Sequence, residues 1–273
     1  MKKTVIGAVA LLGTLTVTPA LAKETISAVG SSSVTPLMEV FSETYMKTNP
    51  DVFIEVQGPG SSAGVKAAKN GSADLGMSSR NLKNSEKEPQ LKELTVALDG
   101  IAIVVNPKNE LNGLTAEQVT AIYKGEVTNW KDVGGADKPI VAITRDTASG
   151  TRGAFEDIMK LKRKIGDKKV SAISQRAQVA NGNGALKTMV ASNPYAIGYI
   201  SLGTVDASVH ALPIDGIAAS VDNVKNQSYK VARPFLVLYK EGKPSAETQK
   251  FLNWMVADEA QALVDQKGYI SVN

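Results

Sequence analysis

Short apolar runs alternate with helical patterns along the first third of the chain. The runs at residues 25–29, 52–57 and 73–77 are rich in apolar and β-branched side chains, and they predict three strands. Apolar residues recur at helical spacing between residues 37 and 45, and a second helix is predicted over residues 63–70. Strand, loop and helix thus follow one another twice, which is typical of an α/β sheet with mainly parallel strands.

The same pattern resumes after a polar interruption. A stretch rich in Lys and Glu at residues 83–93 predicts a surface helix and loop, and residues 101–105 form a strongly β-prone run. Thr115 and Gln118 have the spacing of a capping box, which predicts a helix through residue 123. A strand at residues 140–144 and a helix after it indicate that a second α/β lobe has begun.

Two crossings between lobes are predicted. The chain leaves the first lobe through the run at residues 101–105, and the apolar run at residues 231–239 resembles it and is the predicted return crossing. A last helix, capped by Ser245, is expected to pack on the first lobe. Because ligands of open α/β sheets bind beyond the carboxyl ends of the strands, we expect the site in the cleft between the lobes. The predicted fold class is α/β with two lobes: lobe I at residues 23–103 plus 236–273, and lobe II at residues 104–235.

The first 22 residues have the pattern of a cleaved export signal. Lys2 and Lys3 precede an apolar stretch at residues 5–17, and small residues end the segment at residues 20–22. A membrane anchor is the alternative, but the stretch is shorter than the roughly 20 residues that cross a bilayer. No Cys stands at the cleavage point to carry a lipid, so we expect a protein that is released into the periplasm without a lipid anchor.

Composition excludes several kinds of site. The chain has no Cys and one His, His210, so disulfides, iron–sulfur clusters, Cys nucleophiles and a His-rich metal centre are excluded, and no cofactor is expected. The formal net charge of +4 includes Lys2 and Lys3, and it is too small to predict nucleic-acid binding. Basic residues cluster at residues 160–169, where a solvated helix face or loop and a docking patch are both open interpretations.

Three predicted junctions between a strand and a helix share one composition. Gly together with Ser or Thr occurs at residues 30–33, 60–64 and 149–151. Helix starts expose backbone N–H groups and the positive end of the helix dipole, and hydroxyl groups add donors, so the three loops predict an anion site. The alternative is that these residues only cap their helices. None of the loops has the Lys-Ser/Thr pair of a nucleotide P-loop, which favours a free tetrahedral anion.

Two arginines are candidate cations for this anion. Arg145 precedes the third loop and offers forked, permanently charged donors, although an ion pair with Asp146 is an alternative. Arg80 lies at the tip of the third predicted strand, where a site role and a surface role are both open.

Six motifs, in order, carry a resemblance to a known family. They are AVGSSSVTPL at residues 28–37, QGPGSSAG at 57–64, ADLGMSSR at 73–80, YKG followed by NW between 123 and 130, RDTASGT at 145–151 and AIGY at 196–199. Over nearly the whole chain, the sequence resembles the periplasmic phosphate-binding proteins of high-affinity phosphate ABC transporters. The resemblance implies a type II periplasmic binding fold that closes over one dehydrated phosphate and delivers it to an inner-membrane permease. It implies a binder and not an enzyme, and we expect a monomer.

The resemblance also assigns residues to the site. Ser32 and Ser61 match the family's hydroxyl donors in the first two loops, and Ser31 and Ser33 flank Ser32 with their backbone N–H groups. In the third loop, the family's charged donor, hydroxyls and backbone amide correspond to Arg145, Ser149, Gly150 and Thr151.

The chain departs from the family after the third strand. Where longer members have an Asp after Ser78, this chain has Ser79 and then Arg80, and both stay candidate contacts. A carboxylate in an anion site serves discrimination, because phosphate at neutral pH can still donate a proton to it, whereas sulfate cannot. Asp99, just before the outgoing crossing, is the predicted acceptor, and a hinge turn without a ligand contact is the alternative.

Two other functions remain open. Residues 60–64 satisfy the GxSxG pattern of an α/β-hydrolase, with Ser62 as nucleophile and His210 later in the chain. Against a hydrolase, His210 falls in a predicted strand and no HGG-type oxyanion loop precedes the serine. A binder of sulfate, molybdate or a small organic phosphate is the second alternative, because Arg and hydroxyl donors alone do not exclude it.

Overall fold

A computed structural model describes residues 23–273, and the predicted export signal lies outside these residues. The first lobe begins with β1 (Glu24–Gly30), α1 (Thr35–Thr48), β2 (Val52–Gln57), α2 (Ser61–Asn70) and β3 (Leu75–Ser78). A long strand, β4 (Leu91–Val105), then leads into the second lobe. No helix in the described range has the length and apolar character of a membrane-spanning segment.

The second lobe is built between β4 and the returning strand. Its elements are α3 (Ala116–Lys124), a 3-10 helix (Trp130–Val133), β5 (Val141–Arg145), α4 (Gly150–Ile158), β6 (Lys162–Ile165), β7 (Lys168–Ser171), β8 (Gln178–Ala180), α5 (Gly182–Ser192), β9 (Ala196–Ser201), a 3-10 helix (Leu202–Thr204), β10 (His210–Leu212) and α6 (Val221–Lys225). The chain returns through β11 (Ala232–Lys240) and ends on the first lobe with α7 (Ala246–Met255) and α8 (Asp258–Gln266).

One mixed sheet runs through both lobes in the order β2-β1-β3-β11-β4-β9-β5-β8, with β10 paired to β4 beside this path. Strands β1, β2 and β3 are parallel, and so are β5, β8 and β9. Strand β4 serves both lobes, because residues 91–100 pair with β11 and residues 101–105 pair with β9. The predicted α/β architecture of two lobes is confirmed.

Each lobe has its own hydrophobic core. The first contains Phe41 of α1 and Phe251 of α7, and the second contains Phe155, whose ring stacks on that of Tyr199. Along β4, the first core extends to Ala97 and the second begins at Ile101. The predicted lobe boundaries, after residues 103 and 235, lie close to this change and stay a prediction at the level of single residues.

Two helix starts agree with their predicted caps. Thr115 and Gln118 form a capping box at the start of α3, with the Gln118 amide donating to Thr115 Oγ1 at 3.1 Å. Ser245 caps α7.

Three local predictions are wrong. Residues 91–93 begin β4 instead of ending a surface helix and loop, because pairing with β11 outweighs the helix propensity of Lys and Glu. The basic residues at 160–169 form the antiparallel hairpin of β6 and β7, not a helix face or loop. The helix capped by Ser245 is not the last one, since α8 follows it.

Candidate functional site

The three Gly- and Ser-rich loops meet between the lobes. A hydrogen bond of 2.7 Å from the Gly60 amide to a main-chain carbonyl of the first loop joins two of them within lobe I. The Ser62 amide donates to the carbonyl of Ala148 at 3.1 Å, which joins the second loop to the third across the cleft. A Cβ added to Gly150 would lie 2.0 Å from Ser61 Oγ, so this approach requires glycine. The three helix starts therefore lie next to one another between the lobes.

Hydroxyl groups of the loops contact one another where the three helix starts meet. Ser33 Oγ of lobe I lies 2.8 Å from Thr151 Oγ1 of lobe II. Ser31 Oγ donates to Ser79 Oγ at 2.8 Å, and Ser79 Oγ lies 3.5 Å from Ser61 Oγ. All five side chains are buried. These residues, with Ser32 and Ser149, are called the hydroxyl cluster below.

Several hydroxyl oxygens of the cluster already accept a hydrogen bond from a fixed N–H group. Ser61 Oγ accepts from the amide of Ser79 at 3.0 Å. Ser149 Oγ accepts from the amide of Arg152 at 3.2 Å, as the N-cap of α4. A hydroxyl whose oxygen accepts in this way keeps its own proton for another acceptor. The cluster therefore offers hydrogen-bond donors to a ligand, which suits an anion.

Arg145 supplies the positive charge of the site. Its side chain is 2% exposed, and its guanidinium donates to the Ala180 carbonyl at 3.2 Å, to Asn183 Oδ1 at 2.9 Å and to Ser32 Oγ at 3.1 Å. These bonds use three of the five N–H groups of a guanidinium, so each terminal nitrogen keeps one for a ligand. The alternative ion pair with Asp146 is loose, at 4.0 Å.

Burial changes the pKa of the Arg145 side chain. It lowers the pKa of the guanidinium, and the nearby Asp146 carboxylate opposes that change. Because the ordinary pKa of arginine lies above about 12, the group stays charged at neutral pH. Beside it, burial raises the pKa of Tyr199 to about 12, so this phenol stays neutral while its oxygen accepts from the Arg145 amide at 3.2 Å.

A cavity of about 440 Å³ opens beside Arg145. Both lobes line it, with Ser32 and residues 58–60 on one side and Arg145, Asp146 and residues 181–182 on the other. The lining at residues 181–182 belongs to the start of α5, which is therefore a fourth helix start at the site.

Asn183, in the first turn of α5, was not among the residues predicted from the sequence. Its Nδ2 donates to Ser33 Oγ at 3.0 Å, so it joins the two lobes, and its Oδ1 holds Arg145. The Asn-Gly-Asn-Gly run at residues 181–184 is the signal that could have found it, because this run is another Gly-rich junction between a strand and a helix.

The structure gives Arg80 a partner outside the hydroxyl cluster. Its guanidinium forms two hydrogen bonds with Glu86, at 2.7 and 2.8 Å, and donates to the Asn81 carbonyl at 3.0 Å. Burial raises the pKa of the Glu86 carboxyl, but hydrogen bonds from Arg80 and from the Lys83 amide outweigh it and leave the pKa below its ordinary value. Arg80 is a buried ion-pair residue, and its predicted contact with the anion is not supported.

Asp99 is also placed differently from the prediction. It is fully buried on β4, directly opposite Arg233 of β11. Arg233 Nη2 and Nε donate to Asp99 Oδ2 at 2.8 and 3.2 Å, and Ser201 Oγ donates to Oδ1 at 2.9 Å. Burial raises the pKa of the Asp99 carboxyl, and the charge of Arg233 opposes this. Because Asp99 contacts Arg233, and Arg233 in turn contacts the hydroxyl cluster, the predicted role of proton acceptor for the ligand does not fit Asp99.

Arg233 was missed by the sequence analysis. It is a lone charge inside the apolar run at residues 231–239, and a charged residue in such a run could have been recognised as one that needs a buried partner.

The residues of the hydrolase alternative lie in separate parts of the fold. His210 is exposed on β10, which pairs with the last residues of β4, whereas Ser62 lies in the first turn of α2. Between residues 23 and 273, no group of three or more His, Asp or Glu could hold a metal ion. The geometry therefore favours neither a serine triad nor a metal centre.

Comparisons with known proteins agree with this fold. Residues 16–259 match the family model of a PBP superfamily domain. The phosphate-binding protein PstS of Bacillus subtilis is 30% identical over 254 residues, which cover 89% of this chain and 79% of that protein. The chain belongs to the PBP superfamily.

Two solved structures are similar to this chain in both sequence and fold. A Clostridium perfringens protein, described as a phosphate ABC transporter substrate-binding protein with bound phosphate, is 42% identical with a TM-score of 0.86, covering 92% of this chain and 100% of that one. An ABC-type phosphate transport receptor from Vibrio cholerae is 41% identical with a TM-score of 0.77, covering 90% and 99%. The type II periplasmic binding fold and the resemblance to substrate-binding proteins of phosphate transporters are confirmed.

Proposed function

We propose that this protein binds inorganic phosphate in the cleft between its lobes and delivers it to an ABC permease, as a periplasmic binding protein that catalyses no reaction. The observation that carries the proposal is the hydroxyl cluster beside Arg145, where hydroxyl protons and two free guanidinium N–H groups are offered at four helix starts. A small tetrahedral oxyanion supplies the acceptors that such a donor set needs. The ligand named for the Clostridium perfringens relative supports phosphate.

The proposed contacts come from both sides of the cleft. Lobe I supplies the hydroxyls of Ser32, Ser33, Ser61 and Ser79, with Ser31 behind them, and lobe II supplies Arg145, Ser149, Thr151 and the amide of Gly150. Because no single lobe holds the whole set, the anion gains its full set of bonds only when the lobes are together. Phosphate therefore shifts the population toward the closed form, which the permease would recognise.

Isothermal titration calorimetry tests the proposal. Purified protein, freed of bound anion by reversible unfolding and dialysis, is titrated with phosphate. We expect tight binding by the wild type and a loss of about 100-fold in Arg145→Gln, because that change removes two charge-assisted hydrogen bonds. Arg163→Gln alters an exposed arginine of the β6–β7 hairpin and is the matched control, with unchanged affinity.

The same titration against a panel of oxyanions separates phosphate from the alternatives. Sulfate, molybdate and a small organic phosphate are titrated beside it. Tighter binding of one of these than of phosphate would replace the proposed ligand. If Arg145→Gln bound phosphate as tightly as the wild type does, the anion site would be elsewhere.

A further inference from the structure

The buried pair of Asp99 and Arg233 reaches the hydroxyl cluster through one residue. Arg233 Nη1, the nitrogen that does not contact Asp99, donates to Ser79 Oγ at 3.3 Å. The side chain of Arg233 is only 2% exposed, so this bond is shielded from water. Ser79 is thus the residue through which the charge of Arg233 acts on the cluster.

Counting hydrogen bonds shows what the Ser79 hydroxyl can do. Its oxygen has two acceptor lone pairs. The hydroxyl of Ser31 fills one at 2.8 Å, and Arg233 Nη1 fills the other. Ser31 is the donor of this bond, since its own oxygen accepts from the amide of Ser33 at 3.2 Å and also lies 3.4 Å from the amide of Val34, which donates to the Ser31 carbonyl at 3.1 Å. Only the proton of Ser79 remains, so this hydroxyl can donate and cannot accept.

We propose that Ser79, held as an obligate donor by Ser31 and Arg233, limits how well the site discriminates between anions. It binds an unprotonated oxygen of the anion and does not read the proton that distinguishes phosphate from sulfate. Arg233 acts through Ser79 and is a positioning residue, and Asp99 holds Arg233 with two bonds and neutralises its charge. This inference rests on the proposed phosphate function and adds to it how strictly the site selects its anion.

Substitution of Ser79 tests the inference through a ratio, the Kd for sulfate divided by the Kd for phosphate. Ser79→Asp introduces an acceptor, to which phosphate can donate a proton, whereas sulfate has no proton at neutral pH and would meet a second acceptor. We expect the ratio to rise at least about tenfold. Ser79→Ala removes one donor for either anion, so both affinities should fall by about tenfold and the ratio should stay constant.

The role of Arg233 is tested in a double variant, because Asp99, its ion-pair partner, has to be replaced together with it. The double variant Asp99→Asn, Arg233→Met leaves no unpaired buried charge and frees one lone pair of Ser79. The ratio should then rise about threefold, and it should not change when the same double variant is made in Ser79→Ala, because the effect runs through this hydroxyl. Ser42→Ala is the matched control, since Ser42 is a buried serine that donates to the Met38 carbonyl inside α1, away from the cluster.

Each outcome bears on a defined part of the inference. An unchanged ratio in Ser79→Asp, with phosphate still bound, overturns the specificity role and leaves phosphate binding standing. If the double variant shifts the ratio by the same factor in the wild type and in Ser79→Ala, the positioning role of Arg233 is overturned. Absence of phosphate binding in the wild type overturns the proposed function itself. If the double variant does not fold, as judged by circular dichroism, the single Ser79 variants still decide the specificity role.

Discussion

The two lobes contribute different chemistry to the cleft, and buried arginines show the difference. Lobe II presents Arg145, whose hydrogen bonds go to neutral groups and whose carboxylate neighbour Asp146 stays 4.0 Å away. Lobe I presents hydroxyls, and its Arg80 is neutralised by Glu86, whose carboxylate accepts two hydrogen bonds from the guanidinium. Burial alone therefore does not make an arginine a binding residue. What matters is whether the charge has already been compensated by a carboxylate.

Arg233 shares one feature with Arg80 and one with Arg145. Its charge is neutralised by Asp99, as that of Arg80 is by Glu86, yet its third nitrogen still reaches the hydroxyl cluster. The comparison thus separates an arginine without a close carboxylate, one that is neutralised by a carboxylate, and one that is neutralised and also contacts the cluster. Five measurements can break or sharpen it.

The largest effect is expected for Asp99→Ala. It leaves Arg233 buried without a countercharge, which should lower the free energy of unfolding by about 3–5 kcal/mol in denaturant titrations. The double variant Asp99→Asn, Arg233→Met should recover most of this loss. If the single variant were as stable as the double one, the pair would not be the stabilising element described here.

A smaller effect is expected for Glu86→Gln. This change weakens a charged partner of Arg80 and should cost about 1–3 kcal/mol of unfolding free energy at neutral pH. Phosphate affinity should stay within about twofold of the wild type, because Arg80 does not face the ligand in the proposed site. A large loss of affinity would instead place Arg80 in the site.

The Glu86 pair also predicts a dependence on pH. Since the pKa of Glu86 is below its ordinary value in the folded protein, its stabilisation is complete above the ordinary pKa and is lost as the pH falls through the lowered one. Between about pH 6 and about pH 3, the wild type should therefore lose more stability than Glu86→Gln. Parallel curves of unfolding free energy against pH would contradict this expectation.

Thr151→Val tests the contact between the lobes. The substitution keeps the shape of the side chain and removes the hydroxyl that lies 2.8 Å from Ser33 Oγ. We expect phosphate affinity to fall by about tenfold, because one donor to the anion and one bond across the cleft are lost together. Thr120→Val, at a hydroxyl that bonds only carbonyls of lobe II, is the matched control and should leave affinity unchanged.

The smallest effect is expected in the β6–β7 hairpin. Lys164 lies directly opposite Lys169, and like charges in this arrangement repel. Lys164→Ser should raise the free energy of unfolding by at most about 0.5 kcal/mol and leave phosphate affinity unchanged. Reduced affinity would show that positive charge on this hairpin also helps to attract the anion.

Much of the fold was predictable because its signals are local. Apolar periodicity located the strands and helices of both lobes, and the repeated Gly and Ser at helix starts indicated loops that the structure brings together. The convergence depends on parallel strands, whose carboxyl ends meet at one edge, so the local pattern carried information about distant contacts.

The errors arise where partners are far apart in sequence. Asp99 and Arg233 are 134 positions apart, and only the register of β4 against β11 shows that they face each other. Arg80 has its partner six residues away, but loop geometry, which has no periodic signal, decides that contact. The first residues of β4 include Lys and Glu, whose local preference is not for a strand, and pairing with β11 outweighs that preference.

The shared strand has a consequence for how the protein denatures. Because one uninterrupted segment of 15 residues contributes to both hydrophobic cores, melting of either half removes support from the other. The molecule should therefore lose its structure in a single cooperative transition, with calorimetric and van't Hoff enthalpies in agreement, although its halves resemble independent modules.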